Sequence, residues 1–176
     1  MRIYLLQIEQ NTNSKGECMK SVPVIIAPHG DDEIIGCFEL LDQIPIILYS
    51  EKKSSDRYDE ILNLNKYKDI YEQVFLTGFK IPQRFLSKTS FTYYFPDPIN
   101  EIHPLHRRWG FVGEKMARNK YDVIFYTTNM NVPYIHECKH EDEKQALLVD
   151  VYPSQSELWQ YEHKYFLFEG RCKWIF

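Results

Sequence analysis

The apolar run Val22-Pro23-Val24-Ile25-Ile26-Ala27 passes directly into Pro28-His29-Gly30-Asp31-Asp32-Glu33, after which apolar residues recur at helical spacing to Asp42. Six consecutive apolar residues predict a strand buried on both faces, as in a parallel sheet, rather than the alternation of a half-exposed strand. A second such run, Pro45 to Ser50, starts with proline, where the missing N–H is tolerated. Strand, helix, strand in this order implies parallel pairing through a right-handed crossover, and so an α/β fold. A histidine and two aspartates then fall at the C-terminal edge of the sheet, where open α/β sheets bind ligands.

Acids at a helix start have an ordinary use. Asp31 or Asp32 could cap the helix, accepting backbone N–H bonds at the positive end of its dipole. Three adjacent acids also repel one another, however, and a cation relieves that repulsion. His29 and Asp32 can both turn onto one divalent ion and leave Asp31 beside it to handle a proton, given a third ligand elsewhere in the chain.

Pro28-His29-Gly30-Asp31-Asp32-Glu33, followed by Gly36-Cys37, resembles the signature of the LmbE-like (PIG-L) zinc-dependent N-deacetylases, His-Pro-Asp-Asp-Glu and then Gly-Cys-Gly-Gly. The resemblance implies a Rossmann-like three-layer sandwich with a mostly parallel central sheet. It makes His29 and Asp32 zinc ligands and Asp31 the general base. Gly30 stands where the signature has proline, and Phe38-Glu39 stand where it has a glycine pair, which puts bulk at the expected pocket floor.

The family also carries His-x-Asp-His before a helix, its last histidine a zinc ligand and its first a charge stabiliser or acid. Aligned on the helix Lys144 to Tyr152, the ligand falls on His140, while Glu137 and Lys139 occupy the other two positions. His136 is one residue out of register and fills the catalytic role only through a local bulge; Cys138 is an alternative ligand, since thiolate also suits zinc. An Arg-x-x-Glu at Arg57 and Glu60, and the Ser154-Gln155 pair, resemble further family features, and the resemblance puts the first near the substrate, with Arg57 as a substrate-binding residue. The plain reading of Arg57 and Glu60 is a surface pair one helical turn apart.

A second concentration of chemistry is His103-Pro104-Leu105-His106-Arg107-Arg108-Trp109. Pro104 opposes a regular helix through both histidines, so His106 is placed near a helix start whose body runs to Asn119. His106, Arg107 and Trp109 are substrate-binding candidates: the arginines for a phosphate or carboxylate, the indole for a sugar face. A solvated helix start accounts for them equally well.

The remaining expectations are a strand over Met1 to Glu9, a loop over Asn11 to Lys20, and a charged loop over Glu51 to Asp56. A long helix is expected over Arg57 to Gln73, then strands at Val74 to Thr77, Phe91 to Phe95 and Tyr121 to Thr128. A turn of helix follows at Ser156 to Tyr161, and strands at Tyr165 to Glu169 and Lys173 to Phe176 flank a Gly170-Arg171 turn. The 176 residues, 44% apolar and 26% charged, suit one globular domain over 1–176. A net charge of −4 gives no reason to expect nucleic acid or an anionic membrane, and no apolar run approaches the ~20 residues of a membrane span. Four scattered cysteines without a CxxC pair argue against a disulfide scaffold, leaving a cytoplasmic protein as the expectation and a homo-oligomer open.

The resemblance therefore implies a deacetylase with one Zn2+ per chain, or another divalent ion such as Fe2+. Its substrate would be a small N-acetylated sugar or sugar conjugate. The alternatives are a sugar-binding or assembly protein that keeps the fold without the activity, and a hydrolase of another amide or of an acylated nucleotide-linked sugar.

Overall fold

The computed structural model describes residues 21–51, 57–129, 131–157 and 168–174. Its seven strands are β1 (Val22–Ala27), β2 (Ile46–Tyr49), β3 (Glu72–Phe75), β4 (Phe91–Pro96), β5 (Val123–Thr127), β6 (Ile135–Glu137) and β7 (Phe168–Cys172). They form one sheet in the order β3-β2-β1-β4-β5-β7-β6. The first five strands of that order pair in parallel, and β7 is antiparallel to both β5 and β6. The helices are α1 (Asp32–Cys37), α2 (Tyr58–Asn63), α3 (Pro104–Arg118) and α4 (Glu141–Val151). This is an α/β protein with a mixed, mostly parallel sheet.

Successive residues of β1 enter two different apolar clusters. Ile25 and Ala27 pack with Ile34 and Phe38 after the strand and with Leu148 and Val151 of α4, whereas Val24 and Ile26 pack with Trp109 and Met116 of α3. The sheet is thus buried on both faces, which is why its central strands read as unbroken apolar runs.

The strand order reverses at β1. β2 lies on one side of it, and β4, next but two in the chain, lies on the other. The ends of β1 and β4 therefore flank the crevice in which a doubly wound sheet binds its ligand.

Several expected elements differ. The helix expected over Arg57 to Gln73 stops at Asn63, tightens into a 3₁₀ turn over Leu64–Lys66, and gives way to β3. Pairing of Glu72 to Phe75 with Ile46 to Tyr49 overrides the weak helical pattern of that segment. The helix after Glu33 is also short, passing into a 3₁₀ helix at Phe38–Gln43. The Gly170-Arg171 turn is instead the middle of β7, where Gly170 lies so close to β5 that a Cβ would sit 2.6 Å from Thr127 Cγ2. The Met1 to Glu9 strand and the Asn11 to Lys20 loop lie outside the described residues, as do most of the Glu51 to Asp56 loop, most of the Ser156 to Tyr161 turn and parts of both C-terminal strands.

Candidate metal centre

The turn after β1 does not use its acids as ordinary caps. Asp31 is the N-cap residue of α1, but its side chain makes no cap hydrogen bond, and its backbone is held at φ 120°. A non-glycine residue at that φ is strained, and such strain persists only where surrounding contacts enforce it. Here Glu33 Oε2 accepts the Asp31 N–H at 3.1 Å, and Asp32 Oδ2 accepts the His29 N–H at 2.7 Å. Gly30 packs beneath Ile61 and Tyr152; a Cβ there would lie 2.5 Å from Ile61 Cγ1, which accounts for glycine at this position.

Three ligand-type atoms converge beside this turn. His29 Nδ1 is 3.0 Å from His106 Nε2, His106 Nε2 is 3.2 Å from Asp32 Oδ2, and His29 Nδ1 is 3.5 Å from Asp32 Oδ2. Atoms bound at about 2.0–2.1 Å around a tetrahedral ion stand ~3.3 Å apart, so the triangle has the edges of three ligands sharing one ion. His103 adds a third imidazole: atoms of His29, His103 and His106 lie within 4.8 Å of one another, a group that could hold a metal ion.

The imidazole that meets His29 and Asp32 at the β1 turn is thus His106, and His140 is not in this group. Pro104 does not oppose the helix but begins it, at the N-terminal position where its missing N–H is harmless, and His103 is the N-cap. His103 Nδ1 accepts the Leu105 N–H at 3.3 Å. The signal available in the sequence was the His-x-x-His spacing immediately before a helix. What the sequence hid was that β4 borders β1, which carries His103 and His106 to the acidic turn.

The charges are arranged around this triangle. Burial opposes ionisation of Asp32, yet His106 and His29 outweigh it and hold the carboxyl well below its ordinary range. Burial also disfavours charge on His106, but Asp32 and Glu101 push its pKa up to about 10. Burial, then the charge of Asp32, raise Asp31 well above the usual carboxylate range, with Arg57 pulling the other way. Burial pushes Glu33 up to about 7, against a hydrogen bond from Tyr152.

Arg57 is built into the centre rather than lying on the surface. Its guanidinium donates to Gly30 O at 3.0 Å, Asp31 Oδ2 at 3.1 Å and Gln155 Oε1 at 2.8 Å. One turn later, Glu60 accepts from the Ser154 N–H at 2.8 Å and the Ser154 hydroxyl at 2.6 Å. The Arg57-x-x-Glu60 and Ser154-Gln155 pairs, noted separately in the sequence, are hydrogen-bonded to each other.

The other expected site residues lie elsewhere. His140 is exposed at the N-cap of α4 and lines a separate cavity of about 600 Å3 with Cys138, several acids and Phe168. His136 is exposed on β6, opposite Glu169 on β7 and 3.8 Å from Glu39. Glu39, His136 and Glu169 form a second group of metal-ligand type. Arg171 already serves that group's charge, at 2.6 Å from Glu39 and 3.3 Å from Glu169. Trp109 is 0% exposed, packed against Phe79 and Phe95, and has no face for a sugar. Arg107 is exposed on α3, and Arg108 lies over the Phe79 ring. Phe38 is in the core and Glu39 pairs with Arg171, so neither forms the floor of the His29 site.

Known protein families, curated proteins and solved structures offer no match to this chain. No helix among the described residues is long and apolar enough to cross a membrane.

Proposed function

We propose that the chain is a metal-dependent amide hydrolase, a zinc N-deacetylase acting on an N-acetylated sugar or sugar conjugate, on a Rossmann-like sandwich resembling the LmbE-like (PIG-L) enzymes. The observation that carries this reading is the triangle of His29 Nδ1, Asp32 Oδ2 and His106 Nε2, with edges of 3.0, 3.2 and 3.5 Å, at the crevice between β1 and β4. Two imidazoles and one carboxylate are the ligand set of a hydrolytic site with an open position. When bound there, the ion supplies Lewis acidity toward the amide carbonyl and lowers the pKa of water toward ~7.

The protein's own groups do the rest. Asp31, held by Arg57, takes the proton of the attacking water. His103 takes over the role the resemblance suggested for His136. With its Nδ1 accepting from the backbone, a neutral His103 carries its proton on Nε2 and can donate to the oxygen where negative charge develops. The proton held by Asp31 passes to the departing nitrogen. Acetate and a free amine leave.

One residue favours the competing reading of a binding protein without turnover. With His103 and His106 in the histidine positions, Leu105 stands where the family's motif has aspartate. Elemental analysis of the purified protein together with acetate release from N-acetylglucosamine and its conjugates separates the two. One equivalent of metal with acetate release supports the hydrolase. Metal with glycan binding but no release supports the binding protein, and a chain that takes up no divalent ion refutes the metal centre itself.

A further inference from the structure

We propose that Glu101 is a positioning residue that fixes the ring of His106 and completes the negative charge of the centre for a divalent ion. The inference rests on the metal reading of the His29–Asp32–His106 triangle.

Glu101 lies in the link between β4 and α3 and is 4% exposed. Its carboxylate receives three hydrogen bonds. Oε2 accepts from His106 Nδ1 at 3.0 Å and from the Thr128 hydroxyl at 3.0 Å, and Oε1 accepts the Thr128 N–H at 2.5 Å. Thr128 directly follows β5, so the carboxylate is anchored to the neighbouring strand and does not follow the imidazole if the ring turns.

This contact assigns the two ring nitrogens. The Glu101 oxygen keeps a proton on Nδ1, so the proton an ion would displace from the doubly protonated ring is the one on Nε2, which then becomes the ligating atom. Nε2 is the atom that meets His29 Nδ1 and Asp32 Oδ2. A carboxylate on the far nitrogen of a ligating histidine fixes its tautomer and raises its donor strength.

Charge points the same way. Asp32 and Glu101 lie on opposite nitrogens of one imidazole, at 3.2 and 3.0 Å. Asp31 has its own partner in Arg57. With an ion in place of the Nε2 proton, the two carboxylates flanking His106 would balance the ion's double positive charge.

The test is metal affinity, measured by competition of Zn2+ with a chromophoric chelator, and the visible spectrum of the Co2+-substituted protein, for wild type and Glu101→Gln. The amide cannot offer an acceptor oxygen to His106 Nδ1 and to the Thr128 N–H together. Glu101→Gln is expected to bind Zn2+ ~10–100-fold more weakly and to alter the Co2+ spectrum, both measured at a temperature where circular dichroism shows the metal-free variant folded. Glu101→Asp, which keeps the charge, is expected to recover part of the affinity. Equal affinity and identical Co2+ spectra in wild type and Glu101→Gln would overturn the inference and leave the metal centre standing. A wild type that binds no Zn2+ would overturn both. Should Glu101→Gln not fold, Thr128→Val loosens one of the carboxylate's three contacts; weaker Zn2+ binding supports the role, and unchanged binding overturns it.

Discussion

Nδ1 of His29 and Nε2 of His106 lie 3.0 Å apart although 77 positions separate the residues in the chain. Two imidazole nitrogens at that distance, both close to one aspartate oxygen, can share either a proton or an ion.

His106→Ala and His140→Ala distinguish the two candidate third ligands. Removing His106 takes one corner from the triangle and should abolish stoichiometric metal, whereas removing exposed His140 should leave it at wild-type level. Elemental analysis of both purified variants checks this. Loss of metal only in His140→Ala would restore the ligand expected from the sequence.

Asp31→Asn tests the base. Asparagine tolerates positive φ better than most residues, so the turn at φ 120° should survive. Metal content should stay near one equivalent while the rate of acetate release falls by roughly 10²–10⁴. A variant that retains most of its turnover would exclude Asp31 as the proton acceptor.

Trp109 should act as a core residue. Its indole N–H is buried without a hydrogen-bond partner among the described residues, so Trp109→Phe removes an unsatisfied donor along with some packing and should leave KM unchanged. Trp109→Ala opens a cavity and should cost ~3–5 kcal/mol, read from denaturant unfolding. A raised KM in a folded Trp109→Phe protein would instead show that the ring meets substrate.

The metal-free protein should carry a pH signature at His106. Its folded pKa of about 10 lies above the unfolded value of about 6.5. The stabilisation from its charge, on the order of a few kcal/mol, is therefore complete below about pH 6.5 and lost as the pH rises toward about 10. Melting curves in a chelator should show the gap between wild type and His106→Gln widest near pH 6 and narrowing toward pH 10. A gap that does not change with pH would mean that His106 carries no such charge.

The sequence was most legible where structure is local. β1 spans the expected residues, and the acidic turn follows it directly because an unbroken apolar strand and a short helix leave His29, Asp31 and Asp32 nowhere else to sit. Pro45 to Ser50 and Tyr121 to Thr128 likewise contain β2 and β5, and Phe91 to Phe95 covers all of β4 but its last residue, Pro96. The short strand β6 was not legible: its three residues are held by pairing with β7 rather than by their own pattern.

Residue types and near-neighbour spacing determined that His29, Asp31 and Asp32 meet at the end of a buried strand, and the α/β class. They could not determine which histidine completes the set, because that depends on the order of strands in the sheet. Had β5 bordered β1, residues after Thr128 would face the acidic turn; instead β4 borders it, and the His103–His106 segment does. Strand order is decided by how whole faces of the sheet are covered, with α3 packed on β4 and β5 and α1 on β1. No single stretch of chain contains that information.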